Sequence, residues 1–191
     1  MRVIIFVFLC FLGVQASADI YLEPYVGFME GTVKADETVT LLGQSIPLSA
    51  SQNEHGTLFG AKLGLSYFGL SFGGEYMGGQ PVSGGSGAPL NDIGAFVGFT
   101  FPVFLKISAA YFFSSTLGNV SETDANNIEF TEKAKGKGYK VSLGFTFLPL
   151  IVINLDYIAH VWDNIPLEAT VTAYKITDTA GMLSLSLPLS F

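Results

Sequence analysis

The last ten residues read Met182-Leu183-Ser184-Leu185-Ser186-Leu187-Pro188-Leu189-Ser190-Phe191. From Leu183 every odd position is large and apolar, and every even one is Ser or Pro. A period of two is the repeat of an extended strand, whose successive side chains leave on opposite faces. The segment therefore predicts a strand with one greasy face and one small polar face. Its odd residues are assigned to lipid, and Ser184, Ser186 and Ser190 to a lumen.

The same alternation recurs along the chain. Thr57-Phe59-Ala61-Leu63-Leu65-Tyr67 alternates with Leu58-Gly60-Lys62-Gly64-Ser66, and Leu70-Phe72-Gly74-Tyr76 with Ser71-Gly73-Glu75-Met77. Further strands are predicted around 92–100, 105–114, 139–147 and 151–158, and a first one over 19–29, with Leu22, Val26 and Phe28 opposite Tyr21, Glu23 and Tyr25. That makes eight strands of roughly ten residues, the length a tilted membrane strand needs. Short turns fall near Phe68-Gly69, Phe101-Pro102-Val103 and Leu148-Pro149-Leu150, and long polar links at 30–55, 78–90, 115–138 and 163–180. Alternating short and long links are those of a bacterial barrel with periplasmic termini.

Composition separates a membrane barrel from a soluble one. Charged residues are 13% of the chain, against about 25% in ordinary soluble domains. No stretch after Val14 is long enough to span a bilayer as a helix, so an apolar chain of this kind must either build a large core or face lipid as a closed sheet. A soluble ligand-binding barrel would turn its polar face outward, but the minor face here is mostly Gly, Ser and single charges, too sparse to solvate an exterior. Tyr67, Tyr76, Phe99, Phe101, Tyr111, Phe113 and Phe147 stand near strand ends, where aromatic girdles form.

The N-terminus supplies an address. Met1-Arg2 is positive, Val3 to Val14 is an apolar run of twelve, and Ala16-Ser17-Ala18 is a small-residue cleavage site. This predicts a signal peptide over 1–18, cut before Asp19, and a barrel domain over 19–191. The run is too short for a membrane helix, which needs about 20 apolar residues. Cleavage would remove Cys10 and Arg2, leaving eight lysines, sixteen acidic residues and no arginine. Such a chain is a poor nucleic-acid binder.

The signal peptide, the opening Tyr21-Leu22-Glu23-Pro24-Tyr25-Val26-Gly27-Phe28 and a last strand ending on Phe191 resemble the OmpA/OmpX/OmpW-like outer-membrane barrel families along the whole mature chain. The resemblance implies an eight-stranded antiparallel up-and-down barrel in the cell outer membrane. It also implies insertion by the barrel-assembly machinery, which reads Leu187, Leu189 and Phe191 as an assembly signal. Leu189 stands where Tyr or Phe is frequent, and Pro188 is a second departure. No peptidoglycan-binding module is expected after Phe191.

Seven charges fall on the predicted inner face: Glu23, Lys62, Glu75, Asp92, Lys106, Lys140 and Asp156. A buried charge is costly unless paired or wet, and eight strands leave an interior that side chains fill. A mutual network that plugs the lumen, with Phe96, Phe112 and Met77 beside it, is therefore preferred over a narrow pore for small solutes or ions. Two histidines, His55 and His160, form no zinc pattern, so no metal or cofactor is expected. A lipid-modifying enzyme using His160, with Asp163 as orienter, is the second alternative. The chain reads His160-Val161-Trp162 where lipid A deacylases of this size carry a His-x-Ser pair, so a non-enzymatic protein is preferred.

The outer links carry the surface reading. Glu37 to Leu48 holds two β-prone runs around a Gly-containing turn, and Asn127–Thr131 and Thr170–Thr177 are β-prone too. The first, second, sixth, seventh and eighth strands are thus candidates to continue above the membrane as protruding hairpins whose edges pair with a partner strand. Gly78 to Gly87 reads as a flexible loop, and Lys133-Ala134-Lys135-Gly136-Lys137 as a solvated one that reaches lipopolysaccharide phosphates only as a secondary reading. The expectation is a monomeric structural barrel with adhesin-like loops, contacting outer-membrane lipid and lipopolysaccharide.

Overall fold

Strands with two chemically opposite faces satisfy every backbone hydrogen bond only if the sheet closes on itself. In the computed structural model it does. The structure describes residues 18–41, 44–83, 86–123, 129–148, 150–163 and 174–191. The expected signal peptide lies outside them apart from Ala18. In chain order the strands are β1 (Asp19–Leu41), β2 (Gln44–Tyr67), β3 (Leu70–Gly79), β4 (Val82–Ser83), β5 (Ser86–Gly87), β6 (Leu90–Thr100), β7 (Leu105–Thr123), β8 (Glu129–Leu148), β9 (Ile151–Asp163), β10 (Tyr174–Ser186) and β11 (Leu189–Ser190). Every neighbouring pair is antiparallel, and β1 pairs with β2 on one side and with β10 and β11 on the other. The ring β1-β2-β3-β6-β7-β8-β9-β10 is an eight-stranded up-and-down barrel. β4 and β5 form a small ribbon beside β2.

The polarity of the wall is inside out. Leu63 is 60% exposed while its neighbour Lys62 is 4% exposed, and Leu155 and Asp156 repeat the contrast on β9. Phe28, Phe59, Phe72, Val97, Tyr111, Val141 and Leu183 continue the apolar belt around the outside. Tight turns close one end. Phe68 and Gly69 both take positive φ, 48° and 81°, the mirror-image turn whose twist matches that of the strands it joins. At the second turn the Phe101 amide donates to the Leu105 carbonyl at 2.7 Å. Inside, Gly64 faces Gly73 across β2 and β3. A Cβ on Gly73 would lie 2.1 Å from the Leu63 carbonyl oxygen, so only glycine admits this close approach.

The other end departs from the expected long loops. Residues 30–55 are not an open polar link but carry the protruding hairpin that the β-prone runs of Glu37 to Leu48 predict: β1 and β2 stay paired out to Leu41 and Gln44, a ribbon well past the apolar belt. β7 and β8 likewise extend to Thr123 and Glu129, so the fifth strand protrudes as well as the sixth. Antiparallel pairs satisfy their own backbone groups, and nothing requires pairing to stop where lipid does. Residues 124–128 and 164–173, within the expected links, lie outside the described residues, whereas 174–180 belong to β10 and Lys135 and Lys137 to β8.

One face assignment is corrected. The β7 register shifts between Phe112 and Ser115, so Ser114 is exposed and Ser115 is buried. An inserted residue flips the parity beyond it. Ser190 keeps the inner-face parity of Ser184 and Ser186, opposite Tyr21, although at the open end of the barrel it is exposed.

Candidate functional site: the charged lumen

The even residues of β2, β6, β8, β9 and β10 and of β7 as far as Phe112, with the odd ones of β1 and β3, bring their side chains to a common axis. All seven charges named from the sequence are buried there. Glu23 on β1 is the hub of the inner layer. It receives Lys106 Nζ at 2.6 Å from β7, Lys62 Nζ at 3.2 Å from β2, Ser186 Oγ at 2.7 Å from β10 and Tyr21 Oη at 2.7 Å. β1 and β7 lie half the ring apart, so the Glu23–Lys106 pair crosses the lumen. Beside it Glu75 on β3 accepts from Lys140 on β8 and from Tyr25 Oη. The Lys140 ammonium rests over the Tyr25 ring, 4.0 Å from its centroid, a favourable cation–π placement. Asp156 accepts from Ser184 Oγ at 2.7 Å. Glu23, Glu75 and Asp156 stand against Lys62, Lys106 and Lys140, three carboxylates for three ammoniums. Phe96 packs on Tyr21, and Met77 and Phe112 are fully buried.

The seventh charge, Asp92 on β6, belongs to a second cluster. It accepts from His160 Nε2 at 3.0 Å, and Asp178 on β10 accepts from His160 Nδ1 at 3.0 Å. A ring donating from both nitrogens carries one positive charge. The His160 ring lies between Phe112 and Trp162, near-parallel to both. It stands so close to Gly138 that a Cβ there would meet its Cδ2 at 2.4 Å. Glu54 on β2 stands beside Asp178, beyond the apolar belt that on β2 begins at Phe59. Burial and the Asp178 carboxylate push the Glu54 carboxyl up to about 8. Asp163, the orienter named from sequence, is exposed and takes no part.

Sequence reasoning missed Glu54 and Asp178 because both fell in segments read as outer links. Their parity was the available signal: Glu54 shares the even face of Lys62, and Asp178 that of Ser184. At the opposite end the assembly residues sit on the closing seam. The Phe191 amide and carbonyl exchange hydrogen bonds with Ile20 at 3.0 Å, and the Leu187 amide donates to the Pro24 carbonyl at 3.0 Å. Leu187 and Phe191 are exposed on the wall, and Leu189 is half-buried.

A closed antiparallel barrel, apolar outside and charged within, is a transmembrane β-barrel of the outer-membrane type. No protein-family model matches the chain, and no curated protein matches it. Solved structures of similar architecture include Ail, the attachment invasion locus protein of Yersinia pestis, in complex with the heparin analogue sucrose octasulfate (10% identity over 87% of this chain and 99% of that one, TM-score 0.49). Neisserial surface protein A is another (16% identity, 86% and 96%, TM-score 0.49), as is the outer membrane protein OprG from Pseudomonas aeruginosa (9% identity, 92% and 99%, TM-score 0.48).

Proposed function

We propose that this chain is a non-enzymatic, non-conducting barrel of a Gram-negative outer membrane that reinforces the membrane and presents β-ribbons for surface recognition. The observation that carries the recognition reading is the ribbon of β1 and β2. Past Glu37, β1 has only β2 beside it, and residues 50–52 of β2 have only β1, among the described residues. Strand edges of this kind accept an extended peptide by backbone pairing. Panning a phage-displayed random peptide library against the folded full-length protein tests this. Extended, β-prone peptides are expected, and deletion of residues 38–47 removes their binding. Peptides that bind the deletion variant equally well overturn the reading.

The cross-lumen pairs support a plug rather than a pore, and planar-bilayer recordings of folded protein are expected to show no conductance steps. His160 supports the non-enzymatic reading: both its nitrogens are engaged by carboxylates, and its ring is buried on the lumen side, away from lipid. In this reading Leu187, Leu189 and Phe191 address the barrel to the assembly machinery. Processing after Ala18 leaves Asp19 to open β1, and the exposed Lys135 and Lys137 face lipopolysaccharide phosphates.

A further inference from the structure

Beyond the inner layer of matched charges the lumen holds a cavity of about 90 Å³. Most of its wall is apolar, including Leu58, Leu90, Ile158 and Trp162, and its charged lining groups are Glu54, His160 and Asp178. No lysine lines it. Glu54 and Asp178 are 5% and 7% exposed, and no hydrogen-bond donor reaches Glu54 Oε1 or Asp178 Oδ1 among the described residues. Once Glu54 gives up its proton, above about pH 8, the single imidazolium faces three carboxylates, since Asp92 holds its other side. Buried acceptors without donors, next to uncompensated negative charge, are what a cation with hydrogen-bond donors would satisfy. The described residues contain no group of three or more His, Cys, Asp or Glu suited to a metal ion, and the apolar wall has nothing to offer a hydrated one.

We propose that this cavity binds a small organic ammonium ion, its NH₃⁺ group held by Glu54 and Asp178 and its alkyl body against Leu58, Leu90 and Ile158. A cavity of roughly 150 Å³ admits benzene, so this one suits about four non-hydrogen atoms. The site is independent of the ribbon edges and of their role in recognition. Two of the three ammonium donors match the two open carboxylate oxygens, and the alkyl chain covers apolar wall that water solvates poorly.

The chain carries its own reporter, because its one tryptophan, Trp162, lines the cavity. Folded full-length protein in micelles is titrated at pH 8.5 with n-propylammonium chloride, with sodium chloride and n-propanol in parallel. A saturable change in Trp162 fluorescence with n-propylammonium is expected, with at least tenfold weaker responses to sodium and n-propanol. Glu54→Gln weakens n-propylammonium at least tenfold, and Ala134→Leu, which fills the cavity without altering charge, abolishes its effect. Resistance of the barrel to SDS before heating establishes that each variant is folded. If either variant does not fold, the comparison of amine, alcohol and sodium on the unaltered chain decides the matter. The proposal is overturned by no saturable change in folded protein, by an equal response to n-propanol or to sodium, or by a folded Glu54→Gln protein that binds as well as the parent.

Discussion

The inner and outer layers of the lumen are built on the same face of the same sheet, and they handle charge in opposite ways. In the inner layer three lysines pair with Glu23 and Glu75, Asp156 accepts from Ser184, and the hydroxyls of Tyr21, Tyr25 and Ser186 add further donors. In the outer layer one imidazole serves Asp92 and Asp178, Glu54 stands beside them, and the walls leave a cavity. The difference teaches that a filled lumen is not uniformly filled. Where long lysines reach across the barrel the interior is sealed and balanced. Where they stop, the same strands enclose space and an excess of acid.

The comparison breaks most sharply at its hub. Glu23→Gln leaves Lys62 and Lys106 buried without their shared counter-charge, a loss of about 3–5 kcal/mol. Urea unfolding followed by Trp162 fluorescence measures it, and Glu54→Gln should cost far less in the same assay. Equal losses at the two layers would erase the distinction drawn between them. Close packing of the inner layer is tested next. Gly73→Val should cost about 1–3 kcal/mol through overpacking. Gly74→Val, on the lipid side where the nearest atom to an added Cβ is 3.8 Å away, should stay within about 0.5 kcal/mol. A further effect is one of pH. The Glu54 carboxyl is raised to about 8 from an ordinary 4.5. The folded state therefore holds a proton that the unfolded chain releases, and stability falls as pH rises from about 4.5 toward 8. Glu54→Gln should flatten that fall in the urea midpoint, whereas an unchanged slope would assign the pH dependence to other groups.

Much of the barrel was legible because period two is a local property. The assignment of Lys62 and Leu63 to opposite faces needs only their neighbours, and Phe68-Gly69 announces its turn by residue type. Legibility failed where the pattern carried no contrast. Phe112-Phe113-Ser114-Ser115 gives no sign of the bulge that turns Ser115 inward and Ser114 outward. Within 30–55 the β-prone runs of Glu37 to Leu48 declared the tip of the ribbon, whereas the polar stretches flanking them had no greasy face to declare and read as a loop. For the same reason Glu54 and Asp178 were passed over, and the partner of His160 was sought at Asp163, close in sequence, rather than on β6 and β10.

By itself the sequence determined a two-faced strand repeated eight times, tight turns at one end, and which charges share the interior, since alternation, turn chemistry and apolar content are read within a few residues of each position. Only the tertiary structure decided who pairs with whom. Glu23 meets Lys106, and Asp92 meets His160, across 83 and 68 residues of chain. Those meetings depend on the stagger at which the ring closes and on where bulges shift the register. The cavity beside His160 has the same origin: it lies where side chains from several strands fail to fill a width that no single strand sets.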